Sequence, residues 1–312
     1  MSYQLSEINA ALSRDPKAFL DECDEAYNVK IRRAAKTIAE RSADCPIVLL
    51  SGPSGSGKTT TAMKIAEALA ELGVGSKSLA MDSYFRTVDP KTSPRTKEGK
   101  LDLESPLCLD LDMLGDHLNA LAQGKQIRLP IYNFVTQIQA GPIGKRMKLK
   151  PNEVVVCEGI HALNDEIVEH CPGAIRLYIS ARSNILDDEG KMIFKGTWMR
   201  LMRRLVRDNN FRGTNPAATM EMWANVRRGE KKYISPFKER ADLKFDTAFA
   251  SEVSIMKQFV KPLLEALPET AERYDELRRI LPTLDRFADV DPELLAPESL
   301  LREFIGGGVY DY

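Results

Sequence analysis

The sequence predicts an α/β fold: a mostly parallel five-stranded sheet flanked by helices, with helical extensions at both ends. Three observations predict it. Five short apolar runs recur along the chain, helix-forming segments separate them, and the first run ends in a glycine-rich turn that opens directly onto a helix.

Each element has a local reason. Residues 16–41 set Phe19, Leu20, Cys23, Tyr27, Ile31, Ala34, Ala35 and Ile38 at helical spacing, which predicts one or two amphipathic helices closed by Asp44 and Pro46. Residues 47–50 (IVLL) are the apolar run of a strand buried on both faces. Residues 58–72 are rich in helix formers, and Gly73 is a natural cap. A second strand is predicted over 77–81, with Asp82 at its C-terminal end. Residues 86–100 are polar and interrupted by Pro and Gly, so they read as a loop. Further strands are expected at 154–157, 175–179 and 243–245. The chain beyond Leu267 is helical and acidic and closes on LREFIGGG. The expected organisation is a helical N-terminal extension (1–45), a nucleotide-binding unit (46–267) and a helical C-terminal tail (268–312).

Composition removes several classes of function. The 312 residues carry 44 Lys and Arg against 45 Asp and Glu, a net charge of −1, so no global field favours nucleic acid or an anionic membrane. The five cysteines are an odd number without a C-x-x-C pair, which argues against a disulfide framework or a zinc site. The N-terminus has neither the basic nor the apolar region of a signal peptide, and no apolar run approaches the ~20 residues of a membrane helix. The expectation is a cytoplasmic protein acting on a small molecule, with no nucleic-acid or membrane partner. A homo-oligomer stays open, because the N-terminal helices fit a sheet cover or a subunit contact equally well.

Gly52-Pro53-Ser54-Gly55-Ser56-Gly57-Lys58-Thr59 matches G-x-x-x-x-G-K-[ST] without exception. Glycines let the backbone turn tightly, so that N–H groups converge on phosphate oxygens, and the following helix adds its positive end. Lys58 is expected to meet the β- and γ-phosphates, and the Thr59 hydroxyl to ligate Mg²⁺. Gly52, Ser54, Gly55, Ser56, Gly57, Lys58, Thr59 and Thr60 are therefore the candidate ATP-binding residues, with Mg²⁺ as the metal. The motif alone says nucleotide and does not separate kinases from other users of the triphosphate.

Two carboxylates end strands near it. Asp82 can accept a proton from an acceptor hydroxyl, and Glu158 lies where a magnesium-directed carboxylate is expected; for either, a loop cap is the plain alternative. In residues 197–212, Arg200, Arg203, Arg204 and Arg207 share one helical face, and Arg212 follows. Such a run is usually a solvated surface. Here it has no interleaved Glu, and guanidinium suits bidentate phosphate contacts, so a lid over the transferring group is the sharper reading.

The order GPSGSGKTT, MDSYF, LDLESPLCLD, LPIYNF, VVVCEGI, RLMRRLVRD resembles the uridine kinase and phosphoribulokinase family of P-loop kinases over about residues 46–265. The resemblance implies a P-loop NTPase fold and transfer of the ATP γ-phosphoryl group to an alcohol, with a nucleoside 5′-hydroxyl as the expected acceptor. It implies Asp82 as catalytic base, Glu158 beside magnesium, and Arg200, Arg203 and Arg207 as lid arginines, the first two assigned with Lys58 to catalysis and Arg207 to the nucleotide. It also implies an acceptor site of Asp82, Tyr84, Phe85, Glu104, Tyr132, Phe134, Gln137, Ile160, Arg200 and Arg212. Within this set Tyr132 and Phe134 match pocket aromatics, and Glu104 stands where the family's pyrimidine kinases have a ribose-holding aspartate. The family's Y-D-F-x-x-H-x-R pattern is changed: Gln137 replaces the base-reading histidine and Gln139 the following arginine. That departure relaxes or redirects base recognition. Two other readings stay open: a kinase of a non-nucleoside alcohol or sugar phosphate, and a nucleotide-binding regulatory protein without transfer. The three histidines, His117, His161 and His170, make a metal cluster an unfavoured reading; His161 alone is near enough to Glu158 in sequence to line the site.

Overall fold

Five strands form one parallel sheet: β1 (Ile47–Ser51), β2 (Gly75–Ala80), β3 (Glu153–Glu158), β4 (Ile175–Ser180) and β5 (Leu243–Asp246). Their spatial order is β2-β3-β1-β4-β5. The computed structural model describes residues 2–312. All of β1 is buried. Val48 and Leu50 face one apolar core, and Ile47 and Leu49 the other, which is the alternation of a strand covered on both sides.

The helices are α1 (Leu5–Arg14), α2 (Pro16–Arg41), α3 (Lys58–Glu71), α4 (Leu111–Ala122), α5 (Asp165–His170), α6 (Gly196–Phe211), α7 (Pro216–Gly229), α8 (Glu252–Glu265), α9 (Tyr274–Leu284) and α10 (Arg302–Ile305). The larger core gathers residues of α1, α2, α3, α6, α8 and α9 on one face of the sheet, and the smaller gathers α4 and α5 on the other. Residues 16–41 make one helix. Asp15 caps it by accepting the Ala18 N–H at 3.0 Å, with Pro16 behind it in the first turn.

The second strand lies slightly earlier than predicted. β2 pairs with β3 from Gly75 against Glu153 to Ala80 against Glu158, where β3 ends, so Met81 passes into a short 3₁₀ turn, Met81–Tyr84, that carries Asp82. A strand absent from the sequence reading, Ser2–Gln4, runs parallel to Asn184–Leu186. Between α4 and β3 the chain makes two-residue ladders, including the hairpin of Tyr132–Asn133 with Ile138–Gln139. No described helix is long and apolar enough to cross a membrane.

Candidate active site

The phosphate-binding turn leaves β1 and enters α3 at the C-terminal edge of the sheet. Gly55 and Gly57 take φ of 75° and 81°, the left-handed region in which a side chain is strained. The turn is held from behind. Arg200 Nη1 donates to the Ser54 carbonyl at 3.2 Å, Arg203 Nη1 to the Gly55 carbonyl at 3.1 Å, and Thr247 Oγ1 to the Ser56 carbonyl at 2.7 Å. A peptide plane sets its N–H opposite its C=O. Pinning the Ser54 and Ser56 carbonyls outward therefore turns the Gly55 and Gly57 N–H groups toward the phosphate side.

Those two arginines lie beneath the cradle rather than over its mouth. Arg200 donates to Glu230 Oε2 at 2.6 Å. Arg203 makes a two-pronged contact with Glu252 at 2.6 and 2.7 Å, and both guanidiniums are buried. The expected unpaired arginine face finds its carboxylates on other segments and at Asp208. Arg207 lies against Asp208 at 2.8 Å, and Arg204 against Asp208 at 3.0 Å. Arg204 also donates to the Ser54 hydroxyl at 3.0 Å. Arg207 and the more exposed Arg212 remain on the open side, lining a cavity with Thr59.

Lys58, Thr59, Asp82 and Glu158 come together. Thr59 Oγ1 lies 3.4 Å from Glu158 Oε1. Burial pushes the Glu158 carboxyl up to about 7, while Lys58 pulls the other way. Burial holds the Lys58 ammonium below its ordinary value, opposed by Glu158, Asp82 and Glu303. Gly159 makes the convergence fit: a Cβ there would stand 2.5 Å from Met81 Sδ, so only glycine lets the Asp82 turn close on the end of β3. A hydroxyl and a carboxylate are hard oxygen donors of the kind that hold magnesium together with substrate phosphates, so the pair fits that ion. Among the described residues no group of three or more His, Cys, Asp and Glu forms a protein-only metal cage.

The residues expected at the acceptor divide. Phe85, Tyr132 and Phe134 form a ring cluster with centroids 5.0 to 6.2 Å apart. With Gln137, Cys108 and the 86–94 loop they wall a cavity of about 270 Å³. Gln137 thus lines the pocket; its φ is 56°, and its carbonyl accepts the Val88 N–H at 3.0 Å. Tyr84 does not reach this pocket. It is fully buried, its hydroxyl 2.8 Å from His117 Nδ1, because the 3₁₀ turn points residues 84 and 85 to opposite sides. Ile160 packs against the smaller core, and its carbonyl accepts from Ser51 at 3.0 Å.

Glu104 packs over Gly229, where a Cβ would lie 2.4 Å from the Glu104 Cβ, and burial pushes its carboxyl up to about 7. Its neighbour Asp102 was missed in the sequence. Burial alone would raise the Asp102 carboxyl, but Arg228 at 2.6 Å and the Tyr233 hydroxyl at 2.9 Å bring it below its ordinary value. His161 is buried near Tyr233 (ring centroids 6.3 Å apart), and burial lowers its imidazole to about 4. A signal for this group lay in the acid-rich LDLES run and the basic stretch Arg227–Arg228, but no local spacing joins residues 126 apart.

Comparison with known proteins agrees with this fold. Residues 47–254 match the model of the Phosphoribulokinase / Uridine kinase family. The uridine kinase of Anoxybacillus flavithermus is 28% identical over 200 residues, covering 64% of this chain and 84% of its own. The uridine kinase of Schizosaccharomyces pombe is 27% identical over 269 residues, covering 81% of this chain and 53% of its own, so the match spans about half of that longer protein. A solved structure from Silicibacter sp. TM1040, provisionally named a fructose transport system kinase, superposes with a TM-score of 0.50 at 19% identity, over 69% of this chain and 98% of that one. At that identity the likeness is one of fold.

Proposed function

The chain belongs to the phosphoribulokinase/uridine kinase family of P-loop kinases, and from that premise we propose that it transfers the γ-phosphoryl group of ATP to the 5′-hydroxyl of a nucleoside. The observation that carries the reading is the pairing of a complete phosphate cradle with an aromatic pocket on the same edge of the sheet. The ring cluster of Phe85, Tyr132 and Phe134 suits a flat, π-faced acceptor. Gln137, where the family's pyrimidine kinases carry a base-reading histidine, supports a base preference other than strict uridine or cytidine.

The Asp82 carboxylate takes the proton as the acceptor oxygen attacks the γ-phosphorus in line; the new P–O bond forms, the bond to the β,γ-bridging oxygen breaks, and ADP leaves. Lys58 and the inward N–H groups of the cradle stabilise the charge that develops on the transferring group. Thr59 and Glu158 would hold magnesium, which when bound with the nucleotide neutralises charge on the phosphate oxygens. Arg207 of α6 and Arg212 just beyond its end stand on the open side, lining the cavity with Thr59, and are the arginines placed to meet a phosphate.

A coupled ADP-release assay with ATP and magnesium against a panel of nucleosides, pentose phosphates and small polyols tests this. ADP formation that depends on one or a few nucleosides is the expected result. Release driven only by polyols or sugar phosphates would overturn the nucleoside assignment. Absence of acceptor-dependent release across the panel would count against transfer itself.

A further inference from the structure

The family match ends at residue 254, yet residues 299–312 return to the cradle. Leu300 packs on Gly57, where a Cβ would lie 2.6 Å from Leu300 Cδ1. The Thr60 hydroxyl donates to Glu303 and lies 3.0 Å from the Tyr312 hydroxyl. The Arg203 guanidinium that pins the Gly55 carbonyl stacks 5.1 Å from the Phe304 ring. Gly306 and Gly307 take φ of 88° and 72°, which swings the chain across the end of α6. Tyr310 then anchors it on α3 through a 2.8 Å bond to Glu67.

The return encloses a second cavity of about 400 Å³. Thr59 lies on the cradle side; Arg207 and Phe211 of α6 line it together with the 306–312 segment, whose Gly306 lies against the Phe211 ring, and Glu303 and Asp311 add two carboxylates to the lining. This volume falls within the roughly 300–1,000 Å³ of small-molecule sites. Two large rings that line it, Phe211 and Tyr312, are left 57% and 58% exposed. A glycine run lets a flat ring approach the backbone closely, and aromatic and guanidinium faces are stacking partners for a base.

We propose that residues 306–312 form one wall of the site for the base and ribose of the nucleoside triphosphate, lining the cavity with Arg207 and Phe211 while the cradle holds the phosphates. This rests on the reading of the chain as an ATP-using kinase, and it assigns to the C-terminal segment a binding role outside the region that the family match covers. The wall meets the cradle through the Tyr312 hydroxyl at the Thr60 side chain, while the cradle backbone is held from behind by Arg200, Arg203 and Thr247, so removal of the wall separates base recognition from phosphate recognition.

The test is calorimetric titration of the full chain, a chain ending at Ile305, and the full chain carrying Tyr310→Ala and Tyr312→Ala. Each is titrated with ATP and with inorganic tripolyphosphate in magnesium buffer, and thermal unfolding is recorded alongside. The expected result is a loss of ATP affinity of about tenfold or more in both altered proteins, with tripolyphosphate binding unchanged. Equal losses for both ligands would make the segment a mere support of the cradle and overturn the proposal, as would no loss for either. If the shortened chain does not fold, the double substitution decides by the same criterion. Failure of the full chain to bind ATP or tripolyphosphate would instead remove the kinase reading on which the proposal stands.

Discussion

In the phosphate cradle the carbonyls of Ser54, Gly55 and Ser56 each meet a donor fixed elsewhere in the fold. In the aromatic pocket three rings lean on one another around a two-residue hairpin, and Phe134 remains 62% exposed. The cradle is braced by buried ion pairs, Arg200 with Glu230 and Arg203 with Glu252. The pocket is closed mainly by side chains from loops, with Gln137 held through its backbone. The phosphates are the same in every turnover, so a pre-set geometry costs nothing in versatility. Acceptors differ among members of a fold family, and loops on a fixed scaffold are where such differences accumulate.

Substitutions sharpen that contrast in descending order of effect. Asp82→Asn removes the proposed proton acceptor while leaving the cradle whole. Turnover should fall by about 10²–10⁴-fold with ATP affinity unchanged, as read by steady-state kinetics and calorimetry. Unchanged turnover would remove Asp82 from the chemistry. Arg203→Ala strands the Glu252 carboxylate in the core and frees the Gly55 carbonyl. Denaturant unfolding should show a loss of about 3–5 kcal/mol, with weaker ATP binding in whatever folds.

The buried His161 beside the acceptor-side polar cluster gives a smaller, pH-dependent effect. Burial lowers its imidazole to about 4, so between pH 6.5 and 4 the unfolded chain takes up a proton that the folded chain refuses. This contribution is fully present above pH 6.5 and is lost as pH falls, amounting to at most about 3 kcal/mol. Glu104, raised by burial, works in the opposite sense over part of that range, so the informative quantity is the difference between the native chain and His161→Gln. Relative to the native chain, the variant should gain stability steadily below pH 6.5; parallel pH curves would mean that His161 takes up its proton equally in the folded and the unfolded chain. Smallest is Phe134→Ala, which should raise the acceptor KM by about tenfold through lost ring contact and leave the KM for ATP alone. A change in both constants would mean that the hairpin also serves the nucleotide.

The same contrast explains what could be read from the sequence. The cradle lies within eight consecutive residues between a strand and a helix, and the five apolar runs appear as the five strands of the sheet within a few residues. The placing of Asp82 and Glu158 beside the cradle was legible because each stands at or just past the C-terminal end of a strand. The roles of Arg200 and Arg203 were not, because their acidic partners lie 30 and 49 residues away on other segments. A helical face of arginines looks the same in sequence whether it closes over a phosphate or braces the loop that holds it. Asp102 and Arg228, 126 residues apart, and Thr60 and Glu303, 243 apart, are likewise products of topology alone. Tyr84 looked like its neighbour Phe85, and only the 3₁₀ turn separates a core residue from a pocket residue.

The central claim is that the cradle and the aromatic pocket act on one transferring group. A single-turnover reaction with ATP labelled at the γ-phosphorus, magnesium and a nucleoside tests it most directly. The account predicts that the label appears on the nucleoside 5′-oxygen with the native chain and stays in ATP with Asp82→Asn. Label released only as inorganic phosphate, or transferred equally well by Asp82→Asn, would contradict it.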